Sequence, residues 1–283
     1  RRSRHPRCLD PDATVADPPP MSVKQAAAVT DCLVIGAGPA GLMAAETLAQ
    51  AGYKVVVADA MPNPARKFLM AGRGGLNLTH SEKLFDFIGH YGEARTWLAP
   101  LVRQFQPHDL IAWCQGLGIE TFVGSSGRVF PKTFKASPLL RAWLARLNQR
   151  NIRFALRHRF TGFDAHKNPL FTTENGTTTL HPRVIVFALG GASWPRLGSD
   201  AAWVPLLTAR GVTVQSLHPA NCGFERPWSD SFRSRFAGAP LLTVAASVAG
   251  SEQPPRRGQF VMTEHGVEGS LIYALSSALR RQL

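Results

Sequence analysis

With 283 residues, 45% of them hydrophobic, and a formal net charge of +13, the chain has the composition of a globular protein and room for two domains or one large one. No apolar run approaches the roughly 18 residues that a membrane-spanning helix requires, so no membrane partner is expected. The cysteines at 8, 32, 114 and 222 are scattered with no CxxC pair, which signals neither a redox dithiol nor a zinc site and fits a cytoplasmic protein with free thiols and no metal.

Residues 1–20 are basic and then proline-rich, without the apolar core of a signal peptide. Residues 1–29 read as a disordered extension, with Met21 as the natural start of translation. The fold begins at the stretch VIGAGPAGLMAAETLAQAGYKVVVADA. Leu33, Val34 and Ile35 form a short apolar strand that Gly36 ends, as in a parallel strand buried on both faces. From Gly41, Leu42, Ala45, Leu48 and Ala49 recur at helical spacing until Gly52 stops the helix. Residues 54–58 form a second, Val-rich strand with Asp59 at its end.

This strand–helix–strand unit gives each glycine a separate task. Gly36 permits the tight turn, Gly38 lets a pyrophosphate approach the backbone, and Gly41 lets the helix pack closely on the strand. Pro39 and Ala40 open the helix, whose free amides and dipole favour phosphate. Asp59, eighteen residues after Gly41, is placed for a ribose hydroxyl pair. A helix–strand crossing that merely needs small residues explains Gly41 and Ala45, but not Gly38 or Asp59.

Four further segments stand out. Residues 64–80, PARKFLMAGRGGLNLTH, form a basic glycine-rich loop in which Arg66, Lys67 and Arg73 offer cations to phosphate. Residues 121–163 contain no Asp or Glu and carry Arg128, Lys132, Lys135, Arg141, Arg146, Arg150, Arg153, Arg157 and Arg159. Within them, residues 137–148 read as an amphipathic helix with Leu140, Trp143, Leu144 and Leu147 inward and the arginines toward solvent. Such a face attracts polyanions, RNA included, although arginine used only for solubility gives the same pattern. Residues 184–189 read as another buried strand, ending at Gly190 and Gly191. Residues 241–248 and 258–262 look like strands of a different sheet, followed by a helix from about Ser270. His80, His181 and His265 read as surface or packing residues rather than ligands or bases. Nicotinamide and flavin enzymes share the first motif, but three glycine loops suit the length of a flavin adenine dinucleotide.

Taken together, GAGPAGLMAAETLAQAG, RKFLMAGRGGLNLTH, GRVFPKTFKAS, VIVFALGGASWPRLGSD and GQFVMTEHGVEGS resemble a bacterial flavoprotein family of the YhiN type. That family is also labelled BaiN/RdsA or aminoacetone-oxidase-like NAD(P)/FAD-dependent oxidoreductases. The resemblance runs from about Asp31 to the end. It implies an α/β fold, with a Rossmann-like FAD-binding domain interrupted by a β-rich and a helical domain. The matching boundaries here are a FAD-binding domain over residues 30–204, an inserted β-rich domain over residues 205–269, and the start of a helical segment over residues 270–283.

The resemblance also implies FAD, with NAD(P)H as electron donor. It places Gly36, Gly38, Pro39, Ala40 and Gly41 on the pyrophosphate and Asp59 on the adenosine ribose. Arg66, Lys67, Gly72 and Asn77 line the cofactor, with Gly190 and Gly191 near it. It names no catalytic acid or base. Two substrate branches follow from it, a small conjugated or carbonyl compound, or a uridine of ribosomal RNA reduced to dihydrouridine. A non-catalytic nucleotide- or RNA-binding protein and an NAD-only dehydrogenase are the competing classes. The chain departs from the family pattern at Gly75 and Leu76, where many members carry a cysteine. It departs again at His80, and at Glu268-Gly269-Ser270 in place of SGP, so it reads as a divergent branch. In the resembled family a C-terminal segment returns to the first domain. The expectation is therefore a truncated chain, in which Leu271, Ile272, Leu275 and Leu279 lack part of their cover and the oligomeric state is open.

Overall fold

The computed structural model describes residues 30–283 except 73, 252 and 253. The expected disordered extension, Met21, Cys8 and Arg73 lie outside the described residues. The chain divides into two compact units, the first ending at Val214 and the second beginning at Gln215.

The first unit opens with β1 (Thr30–Ile35), α1 (Pro39–Gln50) and β2 (Val55–Ala58), followed by α2 (Arg66–Ala71) and the short β3 (Thr79–His80). Three helices come next, α3 (Leu84–Gly89), α4 (Arg95–Gln104) and α5 (Pro107–Gly116), then the hairpin of β4 (Thr121–Val123) and β5 (Arg128–Pro131). After α6 (Ala136–Gln149) the chain runs through β6 (Arg153–Ala155), β7 (Arg159–Phe163), β8 (Pro169–Thr173), β9 (Gly176–Thr179) and β10 (Pro182–Phe187), and reaches α7 (Trp203–Thr208).

The central sheet is parallel, in the order β10-β1-β2-β6. Alternate residues of its inner strands point to opposite faces. Cys32, Val34, Val55 and Val57 meet Leu42 and Ala45 of α1 and Leu140, Trp143 and Leu147 of α6 on one face. Leu33, Ile35, Val56 and Ala58 meet Phe160 and Phe171 on the other, supplied by the antiparallel sheet β7-β8-β9. This is the Rossmann-type α/β architecture expected from the sequence.

Two expectations need correction in this unit. The strand expected over residues 184–189 is not buried. It spans Pro182–Phe187 at the edge of the sheet and pairs with β1 alone, so Val184 is 54% and Phe187 39% exposed. An apolar run reveals strand character, not whether neighbours cover both faces. In addition, the arginines of α6 do not all face solvent. Arg141 does, but Arg146 turns back to the buried Glu46 of α1, as does Arg150 just past the helix end, since a buried carboxylate without a charged partner is costly.

The second unit contains β11 (Phe224–Glu225), α8 (Asp230–Phe236), β12 (Pro240–Ala246), β13 (Arg256–Met262), β14 (Gly266–Glu268) and α9 (Ser270–Arg280). Its sheet is antiparallel in the order β11-β14-β13-β12. Here α9 does not stand apart from the strands before it. Leu271, Ile272 and Leu275 are buried, and Leu271 and Leu275 pack with Val244, Ala246, Val248 and Phe260. The expected loss of cover is therefore corrected: all three are buried, and the unit's own sheet covers Leu271 and Leu275. No helix among the described residues is long and apolar enough to cross a membrane.

Candidate functional site

β1, β2 and β10 all end at one edge of the parallel sheet, where ligands of open α/β sheets bind. A cavity of about 880 Å³ opens there, within the range of small-molecule and cofactor sites. Its floor is the glycine turn. Gly36 has φ +111°, and a Cβ on it would lie 2.2 Å from the carbonyl oxygen of Ala188. A Cβ on Gly41 would lie 1.8 Å from the carbonyl oxygen of Gly36. Both positions are held by the packing of the protein itself. Gly38 differs, because no protein atom lies within 4 Å of a Cβ built on it. It faces the cavity at the start of α1, where Pro39 takes the first turn and no side chain caps the helix.

Asp59 ties three segments together. Its Oδ2 accepts from the Ala37 amide at 2.6 Å and its Oδ1 from the Met61 amide at 2.8 Å. The Ala37 carbonyl in turn accepts from the Ala65 amide at 2.8 Å. Ala65 is buried at φ +55°, a region that a residue with a Cβ seldom adopts, and it sets the start of α2. Burial pushes the Asp59 carboxyl above the ordinary aspartate value, against the lowering pull of the two amides and of Arg159.

On α2, Arg66 lines the cavity with its Nε buried and without a hydrogen-bond partner. Lys67 reaches across to donate to the Ser193 hydroxyl. Asn77 is exposed to the cavity between Leu76 and Leu78, whose amides bond to the carbonyls of Phe134 and Val129. Gly190 lines the far wall, and its carbonyl accepts from Trp203 Nε1 at 3.1 Å.

Of the residues expected from the sequence, Gly36, Gly38, Pro39, Ala40, Asp59, Arg66, Lys67, Asn77 and Gly190 line this one cavity. Gly41, Gly72 and Gly191 do not. A Cβ on Gly72 would meet that of Ala136 at 2.4 Å, so this glycine serves the contact of α2 with α6. The Gly191 carbonyl accepts from the Ser199 hydroxyl and the Ala201 amide, which fixes the turn behind the wall. The lining also includes residues that the sequence reading did not single out as a site, among them Trp113, Trp143, His158, Asp200 and Trp203. Each comes from an element distant in sequence, and no local motif marks it.

The acid-free stretch 121–163 finds acids elsewhere in the chain. Lys132 pairs with Glu120, Arg157 with Glu174, Arg159 with Asp200, and Arg146 and Arg150 with Glu46. Arg128, Lys135 and Arg141 remain exposed. His80 binds the Ser126 carbonyl through Nε2 and accepts the Glu82 amide at Nδ1, so it braces a turn.

The residues fit a dinucleotide on two observations, the open face of Gly38 and the unpartnered guanidinium nitrogen of Arg66 in the same cavity. Among solved structures the fold resembles the open conformation of a flavocytochrome c3 fumarate reductase. That match has a TM-score of 0.52 at 18% identity and covers 76% of this chain and 47% of the other. It also resembles a 3-ketosteroid-Δ4-(5α)-dehydrogenase of Rhodococcus jostii, with a TM-score of 0.51 at 13% identity over 69% and 57% of the two chains. Two curated relatives carry the name ribosomal RNA dihydrouridine synthase. The one from Escherichia coli is 25% identical and the one from Haemophilus influenzae 23%, each over 87% of this chain. The chain spans about 60% of the length of these relatives. The model of the HI0933-like protein Rossmann domain matches residues 30–274, and the chain belongs to that family.

Proposed function

We propose that this chain is the dinucleotide-binding part of an FAD-dependent oxidoreductase that draws electrons from NAD(P)H. The observation that carries the reading is Gly38. The protein's own backbone excludes a Cβ at Gly36 and Gly41 but not at Gly38, which lines the cavity at the start of α1, so in this reading its missing side chain makes room for a ligand. In this reading the uncapped start of α1 and the Arg66 guanidinium hold the pyrophosphate, and the Asp59 carboxylate, oriented by two amides, accepts from the ribose hydroxyls. Each Asp59 oxygen keeps lone-pair capacity for that second bond. Bound flavin supplies hydride chemistry, while the protein supplies binding, orientation and electrostatics. The fold likeness to two oxidoreductases supports this reading.

The substrate has two readings, a small conjugated or carbonyl compound, or a uridine of ribosomal RNA. The names of the two curated relatives favour RNA, and the excess positive charge agrees with it. The test is anaerobic reduction of the purified yellow protein by NADH and by NADPH, followed by re-oxidation with ribosomal RNA or with small enones. Bleaching by either nucleotide supports the reading. A colourless protein that binds only a nicotinamide contradicts it, and a flavin that no nicotinamide reduces contradicts the donor assignment.

A further inference from the structure

Glu46 is a buried carboxylate that cofactor binding, as described above, does not use. It sits in the middle of α1 and is 1% exposed. Its Oε2 accepts from Trp143 Nε1 at 2.7 Å and from Trp113 Nε1 at 3.2 Å. Its Oε1 accepts from Arg146 at 3.1 Å, and Arg150 approaches the same oxygen at 3.6 Å. The two indoles meet edge to face, with centroids 4.7 Å apart at 84°. Trp113 is half-buried where it lines the cavity, whereas Trp143 is 2% exposed and packs behind it in the core of the sheet face.

Packing α5 and α6 onto α1 does not require a charge, since apolar residues of similar volume do this at least as well. A shared acceptor does fix the rotation of both indole rings. With both N–H groups held by one carboxylate, the half-buried Trp113 ring has only carbon surface left for the cavity. We propose that Glu46 is a positioning residue that holds Trp113, backed edge to face by the buried Trp143, as an aromatic wall for the isoalloxazine ring.

This inference rests on the FAD reading. The Asp59 side of the cavity carries His158, Arg159 and Asp200, a polar lining suited to adenosine. Past Gly38 the lining continues along α1 through Ala40 and Met43 to Trp113. A dinucleotide with its ribose at Asp59 and its phosphates at Gly38 has its second ring system beyond the phosphates, on that apolar side.

The experiment titrates FAD and ADP into the flavin-stripped protein and into the variants Glu46→Gln, Trp113→Phe and Trp143→Phe, with tryptophan fluorescence and thermal melting followed in parallel. Wild type is expected to bind FAD more tightly than ADP, with strong quenching of tryptophan emission by FAD alone. Each variant is expected to weaken FAD about 3- to 10-fold, the scale of an aromatic contact, and to leave ADP within about twofold. A purely structural role would lower the melting temperature and weaken both ligands alike, or neither, and that result overturns the wall. Should Glu46→Gln fail to fold, the two Trp variants carry the comparison. Wild type that binds ADP but not FAD overturns the cofactor reading itself, which separates the two failures.

Discussion

Asp59 Oδ2 lies 2.6 Å from the amide nitrogen of Ala37, twenty-two residues earlier, so the acid at the end of β2 holds the glycine turn at the end of β1. Asparagine at this position offers one acceptor where the protein needs two, and its amide would face an N–H group. Asp59→Asn is therefore expected to cost about 1–3 kcal/mol in denaturant unfolding at neutral pH. Because burial raises this carboxyl, the folded state holds its proton more tightly than the unfolded chain does. The contribution of Asp59 to stability then falls as pH rises from the ordinary aspartate range through the raised value. The gap between wild type and Asp59→Asn should be wider at about pH 4 than at pH 7. A gap that widens with rising pH contradicts this account.

The glycines should separate by cause. Gly36→Ala must place a Cβ against the Ala188 carbonyl at a positive φ, and Gly41→Ala must place one against the Gly36 carbonyl. Both are expected to lower stability by more than about 2 kcal/mol, the scale of backbone strain added to overpacking. Thermal melting checks this, and unchanged melting of Gly41→Ala would show that the turn is not held as described.

Much of this site was legible because it is local. The strand, turn and helix around Gly36, Gly38 and Gly41 follow from spacing, and Asp59 follows at the end of the next strand. The rest depends on partners far away in sequence. Arg146 is one hundred residues from Glu46, and nothing in its own helix shows that it turns inward. The exposure of Val184 follows from the place of β10 in the strand order, which an apolar run does not encode. Gly72 and Gly191 read as loop glycines near a ligand, and nothing local shows that Gly72 packs on Ala136 or that the Gly191 carbonyl fixes a turn.

The α6 arginines give a further test. Arg146→Ala leaves a buried carboxylate with fewer partners and is expected to cost about 3 kcal/mol, with Arg150 limiting the loss. Arg141→Ala, on the exposed side, should stay within about 0.5 kcal/mol. RNA binding is therefore better tested by reversing Arg128, Lys135 and Arg141 together, which spares the Glu46 network. Under the RNA reading this triple variant keeps its melting temperature and binds RNA more weakly, with a shallower salt dependence. RNA affinity equal to wild type at low salt would remove this surface from the reading.

Thiol reactivity should follow burial. Burial pushes Cys114 up to about 11 and raises Cys32 as well, and both side chains lie in the core. Cys222 is only half-buried. In the native protein at about pH 8, an alkylating reagent should modify Cys222 well before Cys32 or Cys114, as read by mass spectrometry of each peptide. Early modification of Cys114 would contradict the packing of α5 against α6.

The most direct test of the central claim is Gly38→Val, measured for folding and for FAD binding side by side. A Cβ at Gly38 meets no atom within 4 Å beyond its chain neighbours, so thermal melting without ligand is expected to match wild type within about 0.5 kcal/mol. The same side chain would stand where the pyrophosphate must lie, so FAD binding is expected to disappear. A folded Gly38→Val protein that retains its full FAD content would contradict the placement of the cofactor.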